Sequence, residues 1–152
     1  MSTNAVIGMQ FPSGDIKSIF LHSDGYPKHT GAVLIEHYSD ANKVDMLINL
    51  GDISFLGPEA TEAPKEVLDT DEVYNFTSAY HRDKGEELNP PRFFTSTYFW
   101  LRDAANNTSA QYGYLYVANQ GWVYYDLRQP QAQSIEKYLT FQKNLGRVES
   151  AR

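Results

Sequence analysis

Two pairs of short apolar segments, each joined by turn residues, constrain the fold more than any other feature. The first pair covers residues 5–11 and 16–21 and is joined by the sequence PSGD. The second covers residues 111–118 and 122–127 and is joined by NQG. Apolar segments separated by a few such residues are typical of β-hairpins. The chain is therefore predicted to build a sheet rather than a bundle of helices.

Helical patterns lie between the two hairpins. Residues 28–38 and 40–50 carry apolar side chains at helical spacing. Ser39 or Asp40 is suited to begin the second helix, and Gly51 is placed where a helix commonly ends. These two segments are predicted to form a short helical hairpin.

The segment at residues 93–104 fits two interpretations. Its aromatic and β-branched residues favour a strand. Phe94, Tyr98 and Leu101 are also spaced for a helix, which we prefer because a polar run follows them. Residues 73–80 are predicted to form a strand, and the polar segment 81–91 a loop.

The predicted fold class is α+β, with an antiparallel sheet of about five strands and three to four helices packed mainly on one face. A chain of 152 residues suits one domain, residues 1–152. Ser134 is suited to cap a last helix. Residues 129–152 are thus expected to be a C-terminal helical extension.

The negative charge is concentrated in one segment. The formal net charge is −6, and residues 57–72 hold six acids against one base. We expect an acidic surface loop there. Non-specific binding to nucleic acid or to an anionic membrane is disfavoured by this charge.

Cysteine and targeting signals are not found in the sequence. Without cysteine there is no disulfide scaffold and no thiolate chemistry. No apolar run approaches the roughly 18 residues of a membrane span. The first 15 residues lack the basic and apolar regions of a signal peptide. We therefore expect an intracellular protein with no membrane partner.

Two His-x-Asp tripeptides are the most suggestive chemical feature. His22 and Asp24 form the first, and His81 and Asp83 the second, each at the end of a predicted strand. Residues i and i+2 of an extended segment share a face. If the two strands were neighbours, four groups able to bind a metal or transfer protons would converge. The alternative is two unrelated structural turns.

Two further groups of side chains have open roles. Arg82 and Lys84, close to His81 in the sequence, could hold an anion, or simply belong to a solvated loop. The predicted C-terminal hairpin carries Tyr112, Tyr114 and Tyr116 on one face of its first strand, and Trp122 lies on the partner strand. This platform could stack bases or anchor a protein partner. Alternatively, the rings stabilise the sheet against a helix.

The common catalytic and cofactor motifs are missing from the sequence. There is no GxxxxGK[ST], GxGxxG, HExxH or GxSxG. No cofactor is therefore expected, and the pattern favours a protein that is not an enzyme.

Three segments resemble a family of small uncharacterised bacteriophage and prophage proteins. They are KSIFLHSDGYP at 17–27, GDISFLG at 51–57 and AYHRDKGE at 79–86. The family usually has tryptophan at the position of Ser23, so this chain lacks an aromatic ring beside the candidate site. The resemblance implies a phage origin, a place in the host bacterial cytoplasm and an accessory role, without an established activity. It draws attention to the candidate ligand-binding residues His22, Asp24, Tyr26, Asp52, His81, Arg82 and Asp83, because the matching segments contain them.

The sequence therefore predicts a non-enzymatic binding module that a phage directs against a host factor. The factor would be a host defence or regulatory protein, or a small signalling nucleotide that the module sequesters. One alternative is a metal-dependent phosphodiester hydrolase that uses the two His-x-Asp turns. Another is a structural component of the virion.

Overall fold

The computed structural model of the chain describes residues 3–128. Its strands are β1 (Ala5–Gln10), β2 (Ile16–Leu21), β3 (Ile53–Phe55), β4 (Ser78–Ala79), β5 (Arg92–Phe94), β6 (Tyr112–Val117) and β7 (Gly121–Asp126). Its helices are α1 (Ala32–His37), which continues a π-helical turn at Pro27–Gly31, α2 (Ala41–Ile48), α3 (Tyr80–Lys84) and α4 (Thr97–Asn107). Short 3₁₀ turns cover Lys65–Val67 and Asp71–Asn75. The predicted C-terminal extension, 129–152, lies outside the described residues.

The seven strands form one mixed sheet in the order β4-β3-β2-β1-β6-β7, and β5 also pairs with β2. The α+β class is confirmed, and residues 3–128 contain four helices, of which α3 was not predicted. The predicted antiparallel sheet of about five strands is wrong. Both predicted hairpins are present and antiparallel. They join through β1 and β6, which run parallel, and β2 and β3 are also parallel.

Helices cover both faces of this sheet. Along β1, Ala5 and Ile7 pack with the core that contains α1 and α2, whereas Val6 belongs to a second core around Trp100 of α4. Alternation of side chains along a strand places neighbours on opposite faces. The predicted packing of helices mainly on one face is therefore wrong, because the central strands are apolar on both sides.

The Trp100 indole of α4 packs closely on the face of the sheet that this helix covers. Trp100 is 1% exposed and its indole N–H donates a 2.9 Å hydrogen bond to the Ser18 hydroxyl. A Cβ atom at Gly113 would lie 3.1 Å from the end of this ring. The glycine in β6 therefore lets the indole lie close to the sheet.

Residues 92–107 satisfy both sequence interpretations in part. Arg92–Phe94 forms the short strand β5, and α4 begins only after Ser96. The Ser96 hydroxyl accepts a hydrogen bond from the Phe99 N–H. A capping serine thus divides the aromatic run into a strand and a helix.

The predicted strand at 73–80 and the loop at 81–91 are corrected by the structure. Only residues 73–75 of the first segment lie in a 3₁₀ turn, and the strand there is the two-residue β4. Helix α3 then occupies Tyr80–Lys84 and ends at Gly85, whose φ of 69° is left-handed. Glycine adopts this conformation at helix ends without strain.

The acidic segment is closed at its base by backbone pairing. The Glu59 N–H donates to the Asn75 carbonyl at 2.9 Å, and the Thr77 N–H donates to the Glu59 carbonyl at 2.8 Å. Gly57 packs so tightly that an added Cβ would lie 2.6 Å from the Phe76 backbone. Most side chains between these contacts lie at the surface.

No helix within residues 3–128 has the length and apolar character needed to cross a membrane.

Candidate functional site

A cleft of about 480 Å³ lies between β3, the segment 62–78 and α3. Its volume falls within the roughly 300–1,000 Å³ of small-ligand sites. Apolar atoms supply most of its surface, and six of its fourteen lining residues are apolar or aromatic: Phe55, Ala63, Leu68, Val73, Tyr74 and Phe76. The cleft is therefore suited to take up apolar groups.

Two large apolar side chains at the cleft are exposed. Leu68 is 54% exposed and Tyr74 is 61% exposed. The Tyr74 ring meets Phe55 edge to face, with centroids 5.4 Å apart. Phe55 also contacts His29 at 5.3 Å, and His29 lies 6.3 Å from the Tyr26 ring. A row of four rings therefore leads from the candidate residue Tyr26 to the cleft.

Arg82 serves the structure of the cleft wall. Its guanidinium donates to the carbonyls of Ala60 at 2.6 Å and Thr77 at 3.0 Å. It also makes two 2.9 Å hydrogen bonds to the Asp83 carboxylate. Asp83 in turn accepts from the Ala79 N–H at the start of α3. Because most of its donors are used within the chain, Arg82 is a clamp rather than a receptor for an anion.

Two lysines line the cleft as well. Lys65 and Lys84 form no ion pair with any other residue between 3 and 128. The surrounding sequence is nevertheless acidic, since residues 57–87 hold nine acids and three bases. This stretch has a net charge of −6, which equals that of the whole chain. The cleft thus borders the most negative stretch of the sequence, although its own charged lining residues are two acids and three bases.

His22 has a partner on α3. Its Nδ1 lies 2.7 Å from the Tyr80 hydroxyl, and either group can donate depending on the histidine tautomer. Burial raises the pKa of Tyr80, and the charges of Glu86 and Asp52 raise it further. The Tyr80 hydroxyl therefore stays protonated at neutral pH.

Asp52 holds neighbouring strands together. Its carboxylate accepts a 2.9 Å hydrogen bond from the Phe20 N–H in β2. The other carboxylate oxygen lies 3.5 Å from the Arg92 guanidinium in β5. Asp52 is 11% exposed at its side chain, so its main role here is local structure.

The other candidate residues have local partners. His81 Nδ1 lies 2.8 Å from the Glu86 carbonyl. Asp24 has a left-handed φ of 56°, and its carbonyl accepts from the Thr30 hydroxyl at 2.7 Å. The Asp24 contact fixes a turn, whereas the His81 contact joins α3 to the residues just after it.

The two His-x-Asp tripeptides do not form the shared metal site that convergence of their strands would allow. Within residues 3–128, no group of three or more His, Asp or Glu side chains could hold a metal ion. The second tripeptide is helical, so His81 and Asp83 point in different directions instead of sharing a strand face. The tripeptides therefore provide no metal-binding cluster for the alternative of a metal-dependent hydrolase.

The predicted aromatic platform belongs to the core. Tyr112 and Trp122 are at most 8% exposed, Tyr114 is fully buried and Tyr116 is half-buried. The Trp122 indole N–H donates to the Tyr38 carbonyl at 2.8 Å. These rings therefore stabilise the sheet against α1, as the alternative interpretation proposed.

Arg82 and Asp83 were among the candidate residues and line the cleft, but the apolar residues that shape it were not. Phe55 lies in the segment GDISFLG, and Leu68 and Tyr74 lie in or beside the acidic segment. One signal was available in the sequence: large apolar residues within a strongly acidic surface segment are out of place in a solvated loop.

Comparison with protein-family models, with curated proteins and with solved structures gave no match to this chain.

Proposed function

We propose that this chain is a non-enzymatic binding protein that a bacteriophage uses against a host factor in the bacterial cytoplasm, and that the cleft is its binding site. The observation that carries the proposal is the pair of exposed side chains, Leu68 and Tyr74, beside an apolar cleft. Exposed apolar groups clustered around a concavity mark interaction sites.

The energetics support this role. Burying a large apolar side chain gains about 1.5–3 kcal/mol relative to leaving it in water. Leu68 and Tyr74 leave much of that gain unrealised in the chain alone. The segment that carries them is held by the Arg82 clamp and by backbone pairing at Glu59. A site held in place in this way loses little conformational entropy when a partner binds.

A host protein is the first candidate for the partner. Its test is affinity capture from a bacterial lysate at physiological salt with the wild-type chain, Tyr74→Ala and Tyr98→Ala. Tyr98 is the matched control, because it is 50% exposed on α4, on the other face of the sheet. We expect a factor that the wild type and the control retain and that Tyr74→Ala loses. A protein partner at the cleft would be contradicted if the wild-type chain retained no host protein, or if all three chains retained the same factor equally.

A small nucleotide is the second candidate, favoured by one observation. Lys65 and Lys84 line the same cleft as the exposed Tyr74 ring, and bases stack on aromatic rings while lysines hold phosphate. Calorimetry against a panel of linear and cyclic nucleotides tests this version. A binding heat that is present in the wild type and absent in Lys84→Ala would support a nucleotide partner. If no nucleotide of the panel gave a binding heat, this candidate would be contradicted.

A further inference from the structure

We infer that the occupant of the cleft is a basic segment of a partner protein, anchored by one large apolar side chain. This inference rests on the proposed function and names the chemistry of its partner.

The lining of the cleft favours an apolar anchor over a highly polar ligand. Phe55, Val73 and Phe76 supply apolar contact. Several polar groups beside them already have partners: the Ser54 hydroxyl donates to the Ser78 carbonyl at 3.2 Å, and the Arg82 donors are used in the clamp. Apart from Lys65 and Lys84, few polar groups of the lining therefore remain to recognise a base or a phosphate.

The charge of the sequence around the cleft favours a partner segment of positive charge. Residues 57–87 carry a net charge of −6 despite Lys65 and Lys84. Three acids of the segment 62–78, which forms one side of the cleft, are exposed: Glu66, Asp69 and Glu72. An approaching anion is repelled by this field, whereas a segment rich in lysine or arginine is attracted to it.

The exposed Tyr74 ring suits the same partner. It is 61% exposed and meets Phe55 at an interplanar angle of 74°. Lysine and arginine are attracted to the face of an aromatic ring. A basic side chain next to the anchor can therefore contact both the ring and the neighbouring carboxylates.

Three labelled peptides of twelve residues test the inference by fluorescence anisotropy with the full chain. The first has a central Leu-Phe anchor flanked by lysine and arginine. The second keeps the anchor but has glutamate flanks, and the third keeps the basic flanks but replaces the anchor by alanine. We expect the first peptide to bind at least about tenfold more tightly than either of the others. Its affinity should also fall as salt is raised from about 50 to 300 mM, because salt screens exposed charges.

Matched variants locate the binding. Glu66→Gln with Asp69→Asn removes two acids beside the cleft, and Asp15→Asn with Glu36→Gln removes two elsewhere. Only the first pair should weaken the basic peptide, by about threefold or more, and Tyr74→Ala should weaken it as well. Circular dichroism establishes that each variant is folded.

The failures of the two proposals are distinguishable. Tighter binding of the acidic peptide or of ATP would overturn the inference of a basic partner. If no peptide binds but capture from lysate still depends on Tyr74, this inference is wrong and the proposed function stands. If capture also fails, both are wrong.

Discussion

Arg82 Nη1 donates a 2.6 Å hydrogen bond to the carbonyl of Ala60, across 22 positions of the chain. The same guanidinium reaches the Thr77 carbonyl and the Asp83 carboxylate. One side chain thus ties the start of the acidic segment, its end and helix α3 together. The cleft exists because these three parts are held at a fixed distance.

Replacing Arg82 by lysine should destabilise the protein even though the charge is kept. A lysine ammonium cannot reach two carbonyls and a carboxylate in the fork geometry of a guanidinium. We expect a loss of about 1–3 kcal/mol in the free energy of unfolding, measured by urea denaturation. Lys84→Ala, on the same helix and exposed, should stay within about 0.5 kcal/mol of the wild type. Equal effects of the two substitutions would contradict the clamp.

Because Tyr38 is buried, we expect the protein to lose stability at high pH. Burial raises the pKa of its hydroxyl to about 12, opposed in part by the hydrogen bond with Thr77. The ordinary tyrosine pKa is about 10. The folded state therefore keeps the proton more tightly than the unfolded state. The stability linked to this proton is fully present below about pH 10 and is lost as pH rises through about 12.

The measurement compares the wild type with Tyr38→Phe between pH 9 and 12. At pH 8 the variant should be about 1 kcal/mol less stable, because the hydrogen bond to the Gly57 carbonyl is lost. The wild type should lose up to roughly 2–3 kcal/mol more than the variant across the alkaline range. Tyr98→Phe, at an exposed position, should follow the wild type. Parallel curves for wild type and Tyr38→Phe would refute this linkage.

Ser18 and Trp100 should be energetically coupled. Ser18→Ala leaves the buried indole N–H without its acceptor, at a cost of about 1–2 kcal/mol. Trp100→Phe removes the same bond and leaves a cavity, at a cost of about 2 kcal/mol or more. The double variant should cost at least about 0.5 kcal/mol less than the sum. In a parallel cycle with the exposed Ser39→Ala, the costs should simply add.

Leu68 and Tyr74 should contribute little to folding. Both are more than half exposed, so Leu68→Ser and Tyr74→Ser should each change the free energy of unfolding by less than about 0.5–1 kcal/mol. Leu47→Ser, at a fully buried position, should cost several kcal/mol by comparison. Thermal unfolding measures all three. A large effect of either exposed substitution would show that these residues belong to the core and not to a binding surface.

Much of the local structure was predictable from the sequence. The two hairpins, the helices before Gly51 and the helical part of 93–104 follow from turn residues, caps and apolar spacing. The pairing of β1 with β6 could not be predicted, because a strand that is apolar on both sides carries no local sign of which partner it takes or in which direction. Strand β3 is three residues long, too short for alternation to show.

The site was harder to predict than the fold. Arg82 was selected for its charge, yet its role depends on the carbonyls of Ala60 and Thr77, which only the tertiary structure brings within reach. The tyrosines of β6 were candidates because of their number. The sequence of a strand does not show whether a helix covers the face on which such side chains lie. Tyr26 is the candidate that joins the ring contacts leading to the cleft.

The closed base of the acidic segment has an evolutionary consequence. Because pairing at Glu59 and the Arg82 clamp join its two ends, the residues between them form a loop whose closure is already secured. The entropy of closing a loop grows only slowly with its length. Substitutions, insertions and deletions in this loop therefore leave the sheet intact while they redraw one wall of the cleft. Relatives with the same sheet would be expected to differ most in this loop, and a change of target there requires no change of fold.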